Sequence, residues 1–225
     1  MSQPKALVAW SSGKDSAWAL HALRRQGEVE IVGLLTTVTA GFGRVSMHGV
    51  REVLLDAQAG ALRLPCRRVR IPWPCPNEIY EREMAQALEG AKAEGVTHIA
   101  FGDLFLQDVR AYREAKLAGT GISPLFPLWQ RDTRALAREM IDGGLRATLT
   151  CVDPRKLDAA FAGRSFDRAF LSDLPAGVDP CGENGEFHTF AWSGPMFDNP
   201  IPVVAGAVVE REGFVFADLL PALRC

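Results

Sequence analysis

A short loop near the start of the chain has the residue types that bind an oxyanion. It follows an apolar stretch and precedes a helical pattern, so its hydroxyls and its lysine meet the first turn of a helix. The backbone N–H groups of such a turn lack partners within the helix, and the helix dipole favours negative charge there. The sequence therefore predicts a phosphate-type anion site. Its six residues are Ser11, Ser12, Gly13, Lys14, Asp15 and Ser16.

Two catalytic motifs and one structural alternative compete for this loop. A Walker A loop requires a glycine five residues before the Gly-Lys pair, and that position is Val8. Ser11 and Lys14 have the spacing of the nucleophile motif in penicillin-recognising enzymes, but the Lys-Thr-Gly and Ser-Asp-Asn partners of that motif are missing from the sequence. An ordinary helix-capping loop stays open on these residues alone.

Short apolar runs alternate with helical patterns over about two thirds of the chain. Such alternation predicts βαβ crossovers and an α/β, Rossmann-like fold, with a mostly parallel sheet and helices on both faces. We predict a nucleotide-binding domain at residues 1–155 and a smaller C-terminal substrate-facing region at residues 156–225. The predicted strands are 5–10, 30–38, 66–71, 97–101, 123–129 and 147–152, and the predicted helices are 16–26, 47–64, 77–94, 108–117 and 132–141. Strand-like runs at 203–209 and 214–216 are expected in the C-terminal region.

The loop resembles the Ser-Gly-Gly-Lys-Asp-Ser loop of the PP-loop ATP pyrophosphatases, with Ser12 in place of the first glycine. The resemblance implies a sheet of the adenine nucleotide alpha hydrolase type. It also implies that the loop binds the pyrophosphate of ATP while AMP is transferred to a carbonyl oxygen. Lys14 and the loop N–H groups would hold the β- and γ-phosphates. Mg²⁺, approached through Asp15, would offset charge on the α-phosphate.

Three further stretches resemble the diphthine–ammonia ligase-like branch of that superfamily. They lie at 47–51, at 101–129 and at 182–189, where the third resembles a Glu-Gly-Gly-Glu-Tyr-Glu-Thr signature. The third departs from the signature at Asn184, Phe187 and His188. From the first two stretches the nucleotide-binding candidates are His48, Gly102, Asp103 and Arg110; a structural histidine and solvent-facing arginines stay open as alternatives. Backbone groups of Leu35, Thr36 and Thr37 are expected to hold adenine.

The third stretch supplies the candidates for the second half of the reaction. Glu183 and Glu186, three residues apart around a glycine, are expected to converge near an ammonia or amine nucleophile and accept its proton. His188, with a reference pKa near about 6.5, is expected to share that role. The resemblance implies an ATP-dependent, amide-forming ligase with a carboxylate-type acceptor. A non-catalytic nucleotide-binding module of the universal-stress-protein type and an adenine nucleotide hydrolase stay open.

Composition limits the partners and the location that we expect. The formal charge of −2, from 25 basic and 27 acidic residues, argues against non-specific nucleic-acid binding. Neither a secretory signal nor a membrane-spanning run is visible, so we expect a cytoplasmic protein; a homo-oligomer stays open. Five scattered cysteines without a CxxC pair are expected to be plain thiols. They are Cys66, Cys75, Cys151, Cys181 and Cys225.

Overall fold

A mostly parallel sheet forms the first part of the fold in the computed structural model, which describes residues 3–222. Its parallel neighbours are β4 with β2, β2 with β1, β1 with β5, and β5 with β6, whereas the short β3 runs antiparallel to the end of β2. The chain runs from β1 to one side of the sheet and later crosses to the other side. The strands are β1 (Lys5–Ala9), β2 (Glu30–Thr39), β3 (Arg44–Val45), β4 (Cys66–Ile71), β5 (Val96–Ala100) and β6 (Ser123–Leu125).

Helices cover both faces of this sheet, as predicted. Trp18 of α1 and Leu54 of α2 belong to one buried cluster, and Leu88 of α3 and Leu117 of α4 belong to another. In β1 the residues Ala6, Leu7 and Val8 are all buried, as expected for a central parallel strand. The helices are α1 (Lys14–Gln26), α2 (Glu52–Leu62), α3 (Asn77–Ala93), α4 (Gln107–Leu117), α5 (Thr133–Asp142) and α6 (Arg168–Asp173).

A second, antiparallel sheet of order β8-β7-β10-β9 follows the parallel one. Its strands are β7 (Arg146–Val152), β8 (Phe187–Ser193), β9 (Val203–Arg211) and β10 (Phe214–Pro221). The prediction that residues 147–152 form a sixth strand of the first sheet is therefore wrong. An apolar run buried on both faces does not reveal in which sheet it pairs. The strands expected at 203–209 and 214–216 are confirmed, and the domain boundary near residue 155 stays a prediction.

The segment before α2 differs most from the predicted helices. The helix begins at Glu52 and not at Met47, because Met47 and Gly49 have φ values of 65° and 66° and Arg51 is extended. The predicted cap of α5 is confirmed, since Asp132 accepts a hydrogen bond from the Ala135 N–H at 2.7 Å. The residues before α2 instead form a loop that carries His48 toward the carboxyl ends of β1 and β2.

The two sheets meet at the predicted anion loop. The N–H of Ala191, in β8, donates to the carbonyl oxygen of Ser12 at 2.9 Å, and the amide of Gln58 donates to the same oxygen at 3.0 Å. Four of the five cysteines are free thiols, and Cys225 lies outside the described residues. Within residues 3–222, no helix has the length and apolar character needed to cross a membrane.

Candidate active site

A cleft of about 380 Å³ lies at the carboxyl ends of β1, β2 and β5, and β8 with the loop before it closes one side. This is where the chain changes direction across the parallel sheet, the usual place for a ligand in such folds. The predicted site residues that line the cleft are Ser11, Lys14, Asp15, Ser16, Leu35, Thr36, Thr37, His48, Gly102, Asp103 and Glu183. Four others, Ser12, Gly13, Arg110 and Glu186, lie outside its lining.

Contacts from β8 hold the anion loop in position. The backbone N–H of Lys14 donates to Thr189 Oγ1 at 3.0 Å, and the Ser11 and Ser16 hydroxyls lie 3.2 Å apart at the cleft. The N–H groups of Asp15 and Ser16, in the first turn of α1, have no carbonyl to accept them within the helix. An oxyanion in the cleft would meet these donors. Thr189 ends the third stretch, and its support of the anion loop is a role that the sequence did not predict.

Ser12 and Gly13 shape the loop from behind. Ser12 has a φ of 70°, is fully buried, and its Oγ has no hydrogen-bond partner among the described residues. A Cβ on Gly13 would lie 2.7 Å from Cε1 of His48, so only glycine permits the imidazole to approach this closely. Both residues therefore act on a ligand through the loop's shape.

Lys14 is buried beneath the cleft and already has two acceptors. Its Nζ donates to Asp15 Oδ2 at 2.8 Å and to the carbonyl oxygen of Cys181. Burial alone would lower the pKa of Lys14, but the acidic neighbours, Asp15 first, outweigh burial and raise the pKa. An ammonium has three N–H donors, so one is left for a phosphate oxygen.

Asp15 offers one carboxylate oxygen that is not engaged. Its Oδ2 accepts from Lys14, whereas its Oδ1 is buried without a partner in the described part of the chain. Burial raises the pKa of Asp15 against the opposing attraction of Lys14. Within residues 3–222 no cluster of three or more His, Cys, Asp or Glu side chains could hold a metal by itself. Mg²⁺ commonly takes only one or two carboxylates and completes its coordination with substrate phosphates and water, so Asp15 fits the predicted ion.

The end of β5 presses against the anion loop. A Cβ on Gly102 would lie 2.9 Å from the carbonyl carbon of Asp15 and 3.0 Å from the N of Ser16. Asp103 follows and accepts from Arg113 Nε at 2.5 Å and from Arg113 Nη2 at 3.1 Å. The Arg113 guanidinium also lies 4.3 Å from the centre of the Phe101 ring. The pair thereby brings one cation and one carboxylate to the cleft.

Arg110 lies outside the lining of the cleft. Its Nε donates to Glu114 at 2.7 Å, and its guanidinium lies 4.7 Å from the ring centres of both Phe126 and Trp129. It does not line the cleft, whereas Arg113, one turn along α4, does. Contact between Arg110 and the nucleotide therefore stays a prediction. The sequence signal for Arg113 is its position one helical turn after Arg110, close to Asp103.

Glu183 is the acidic side chain of the third motif that reaches the cleft. Its Oε1 accepts from the N–H of Leu104 at 2.7 Å. Burial, reinforced by the charges of Asp15 and Asp103 and opposed by the Leu104 N–H, raises the pKa of Glu183 to about 7. A carboxyl that titrates near neutral pH is suited to accept a proton and release it again.

Glu186, unlike Glu183, does not line the cleft. It is buried, and its Oε1 accepts from the backbone N–H of Asp179 at 3.0 Å and from Asn184 Nδ2 at 3.1 Å. These bonds fold the loop that presents Glu183. Glu183 lines the cleft and Glu186 does not, and Gly185 between them has a φ of 79°. The convergence of the two glutamates near an ammonia or amine nucleophile stays a prediction.

Two histidine rings lie against each other inside the cleft, with their planes tilted by 39°. The ring centres of His48 and His188 are 4.7 Å apart, and His48 Nδ1 lies 3.0 Å from the carbonyl oxygen of Thr189. Removal of the rings from water lowers the pKa of His48 to about 4 and that of His188 to about 3. His188 therefore does not titrate near neutral pH, contrary to the expectation from its reference value.

The backbone expected to hold adenine already has partners. The carbonyl of Leu35 accepts from the N–H of Trp10 at 2.8 Å, and that of Thr37 accepts from the N–H of Ser46 at 3.1 Å. The Thr36 hydroxyl donates to the carbonyl of Trp10 at 2.8 Å. Each carbonyl keeps a second lone pair, so an adenine contact at this strand end stays a prediction.

Comparison with known proteins places the chain in a family. The family model described as the diphthamide synthase N-terminal domain matches residues 4–120, and that of the diphthamide synthase C-terminal domain matches residues 132–217. The diphthine–ammonia ligase of Homo sapiens is 33% identical over 182 residues, which cover 75% of this chain and 68% of that protein. The ligase of Bos taurus is 32% identical over the same shares, and that of Danio rerio is 33% identical over 60% and 55%. Together with the loop and the cleft, these matches show that the chain belongs to the diphthamide synthase family of diphthine–ammonia ligases.

Proposed function

We propose that the chain cleaves ATP to AMP and pyrophosphate in this cleft, and uses the adenylated acceptor to form an amide with ammonia. The observation that carries the proposal is that residues of the anion loop and residues of the segment 182–189 line one cleft. The direct bond from the Lys14 N–H to Thr189 Oγ1 couples the two segments. The relatives are all named as ligases, so a pure binding module or a nucleotide hydrolase is not favoured.

The proposed reaction has two displacements. A carboxylate oxygen of the acceptor attacks the α-phosphorus of ATP, and the bond to the β-phosphate oxygen breaks, so that pyrophosphate leaves. Ammonia then attacks the acyl carbon, the carbon–oxygen bond to AMP breaks, and the nitrogen gives up a proton. The first-turn N–H groups, Lys14 and Arg113 are the donors available to oxygens that gain charge. Glu183 is the carboxylate placed to accept the proton.

Magnesium would act beside Asp15. Its role would be to offset negative charge on the α-phosphate as the acceptor oxygen approaches. The free Oδ1 of Asp15 is the oxygen we assign to it. Asp103 is paired with Arg113 and is instead assigned to the positioning of that arginine.

Diphthine is the acceptor we propose, because the relatives are named for it. The departures Asn184, Phe187 and His188 make a related carboxylate the second candidate. Asn184 supports Glu186 through its side chain, and Phe187 packs in the core, so these two departures do not alter the cleft's charge. His188 does, since it stands where the signature has a glutamate.

Product analysis tests the proposal. Purified protein is incubated with ATP, Mg²⁺, ammonium and a protein bearing diphthine, and the nucleotides are separated. AMP and pyrophosphate formed only when the acceptor is present support the ligase. ADP and phosphate would mean attack at the γ-phosphate, and binding without turnover would leave a nucleotide-binding module. AMP formed equally well without acceptor would make water the acceptor and the protein a hydrolase.

A further inference from the structure

His48, which lies against His188 in the cleft, has a tautomer fixed by its hydrogen bond, and that tautomer bears on phosphate binding. A carbonyl oxygen can only accept a hydrogen bond, so the 3.0 Å contact with Thr189 places a hydrogen on Nδ1 of His48. A neutral ring with its hydrogen on Nδ1 has a lone pair and no hydrogen on Nε2. The ring lies against the anion loop, where a Cβ on Gly13 would be 2.7 Å from Cε1 of His48.

The surroundings keep both rings neutral while no anion is bound. Burial is the largest effect that lowers the pKa of each ring. The ammonium of Lys14, on α1, lowers the pKa of both rings, and the hydrogen bond to Thr189 only partly offsets burial at His48. Lys156 and His48 lower the pKa of His188 further. Lys156 is tied to the segment by a bond from Nζ to the carbonyl of Asn184 at 2.6 Å. A neutral pair contributes no charge to the site, and a lone pair at Nε2 would repel a phosphate oxygen.

A bound polyphosphate reverses this balance. Several negative charges beside the rings favour the protonated form, as any opposite charge within about 4–6 Å does. A protonated His48 would have a partner on each side, with Nδ1–H donating to Thr189 and Nε2–H donating to a phosphate oxygen. The 4.7 Å separation of the rings opposes a second positive charge, so the pair takes up one proton.

We propose that the pair His48–His188 binds the pyrophosphate portion of ATP by taking up one proton from solvent, with His48 as the imidazolium. The inference rests on the proposed function and adds to it that ATP binding is proton-coupled. The proton leaves again when pyrophosphate leaves. No bond to carbon or phosphorus is made or broken in this step.

Nitrogen NMR of isotope-labelled histidine side chains tests the proposal on the intact protein. In the free protein we expect both rings to be neutral above about pH 5.5, with His48 protonated on Nδ1. With Mg²⁺ and an ATP analogue carrying a methylene group between the α- and β-phosphorus atoms, one ring should become an imidazolium. Its titration midpoint should rise from about 4 to above about 6. AMP, which lacks the pyrophosphate, should leave both rings neutral.

Variants add an affinity readout. His48→Asn keeps an N–H for Thr189 but cannot be protonated, and its affinity for the analogue at about pH 6 should fall about tenfold, with a smaller loss at about pH 8. His98→Asn, on β5 and outside the cleft lining, is the matched control and should bind like the wild type.

Three results would overturn the inference. Rings that stay neutral in the analogue complex, or rings that AMP protonates equally well, would each contradict it while leaving the ligase proposal intact. Failure to bind the analogue at all would instead contradict the proposed function, and the inference with it.

Discussion

Ser12 is a residue whose local conformation and chemistry disagree with its type. Its φ of 70° lies in the left-handed region, where a residue with a Cβ is strained by roughly 1 kcal/mol or more. Its hydroxyl is buried without a partner among the described residues. The PP-loops that this loop resembles have glycine at this position, so the substitution retained here has a cost in stability.

Ser12→Gly should therefore raise the free energy of unfolding, by about 1 kcal/mol after allowing for the greater freedom of glycine in the unfolded chain. Ser12→Ala is the matched variant, because it removes the hydroxyl but keeps the strained Cβ. Urea unfolding of the wild type and the two variants measures the cost of the buried hydroxyl and the cost of the strained backbone separately. A Ser12→Gly protein less stable than the wild type would show that the hydroxyl has a partner that stabilises it.

Glu183 controls the expected pH dependence. Its carboxyl must be ionised to accept a proton, and its pKa is raised to about 7 by burial and by the charges of Asp15 and Asp103. The rate of amide formation at saturating ammonium should rise as pH increases through about 7 and level off above it. Glu183→Gln should abolish the rise and lower the rate about 10²- to 10⁴-fold.

Glu186→Gln is the contrasting variant, since Glu186 is buried away from the cleft. It should keep the same midpoint as the wild type, whatever its effect on the absolute rate. A midpoint that survives Glu183→Gln and moves in Glu186→Gln would exchange the roles assigned to the two glutamates.

Among the elements, the end of β5 packs directly against the start of α1. Gly102 lets the strand end approach the loop backbone, and a Cβ there would meet Asp15 and Ser16 at 2.9–3.1 Å. Because the obstacles are backbone atoms, a rotamer change does not relieve the clash. The close contact keeps the first-turn N–H groups of α1 facing the cleft.

Gly102→Ala should reduce ATP affinity and destabilise the fold by about 1–3 kcal/mol. Gly90→Ala is the matched control, because Gly90 lies within α3 with open space around it. That change should instead stabilise by about 0.5–1 kcal/mol, the usual gain for alanine in a helix. Calorimetry measures ATP binding by the two variants, and thermal unfolding measures their stability. Equal affinity and equal stability of the two variants would contradict the packing argument.

An ion-pair cluster fastens β10 to the segment around β3. Asp218, 15% exposed, accepts from Arg44 Nη1 at 2.8 Å and from Arg51 Nη2 at 2.5 Å. These arginines outweigh the effect of burial and hold the pKa of Asp218 below its usual value. The cluster fixes the start of the loop that carries His48.

Asp218→Asn should destabilise the protein by about 1–3 kcal/mol, because two cations lose a partly buried partner. Asp142→Asn, which breaks the exposed pair with Arg168, should cost less than about 0.5 kcal/mol. As pH falls through the lowered pKa of Asp218, the advantage of the wild type over Asp218→Asn should disappear. If both variants lost the same free energy of unfolding, the Asp218 cluster would not stabilise the contact between β10 and the segment around β3.

The alternation of strands and helices along the first part of the chain was predictable, because apolar runs and capped helices reflect local periodicity. The anion loop was predictable as well, since all its residues are adjacent in sequence. The pairing of β7 was not, because the choice of partner depends on segments more than 60 residues later, such as Val215, which pairs with Val152. The placement of the third motif was not predictable either, because Glu183 lines the cleft and Glu186 is buried outside its lining. That difference follows from turns that residue types alone do not specify.

At the scale of the whole molecule, the two sheets make one site. The parallel sheet contributes the anion loop and the ends of β1, β2 and β5. The antiparallel sheet contributes His188 and Thr189, and the loop before β8 contributes Glu183. Adenylation and amide formation would thus take place between the two sheets. Hydrogen bonds from β8 to the anion loop, at Ser12 and Lys14, connect them. An acyl-adenylate formed here would be shielded on the second sheet's side.

The central claim is that an acceptor carboxylate attacks the α-phosphate of ATP in this cleft. Exchange of labelled pyrophosphate into ATP measures that step directly, since reversal of adenylation resynthesises ATP. With a diphthine-bearing acceptor and without ammonia, the wild type should exchange label and Lys14→Met should not, whereas Lys116→Met, a surface change, should exchange normally. Exchange that is undiminished in a folded Lys14→Met protein, or absent from the wild type with its acceptor, would contradict the claim.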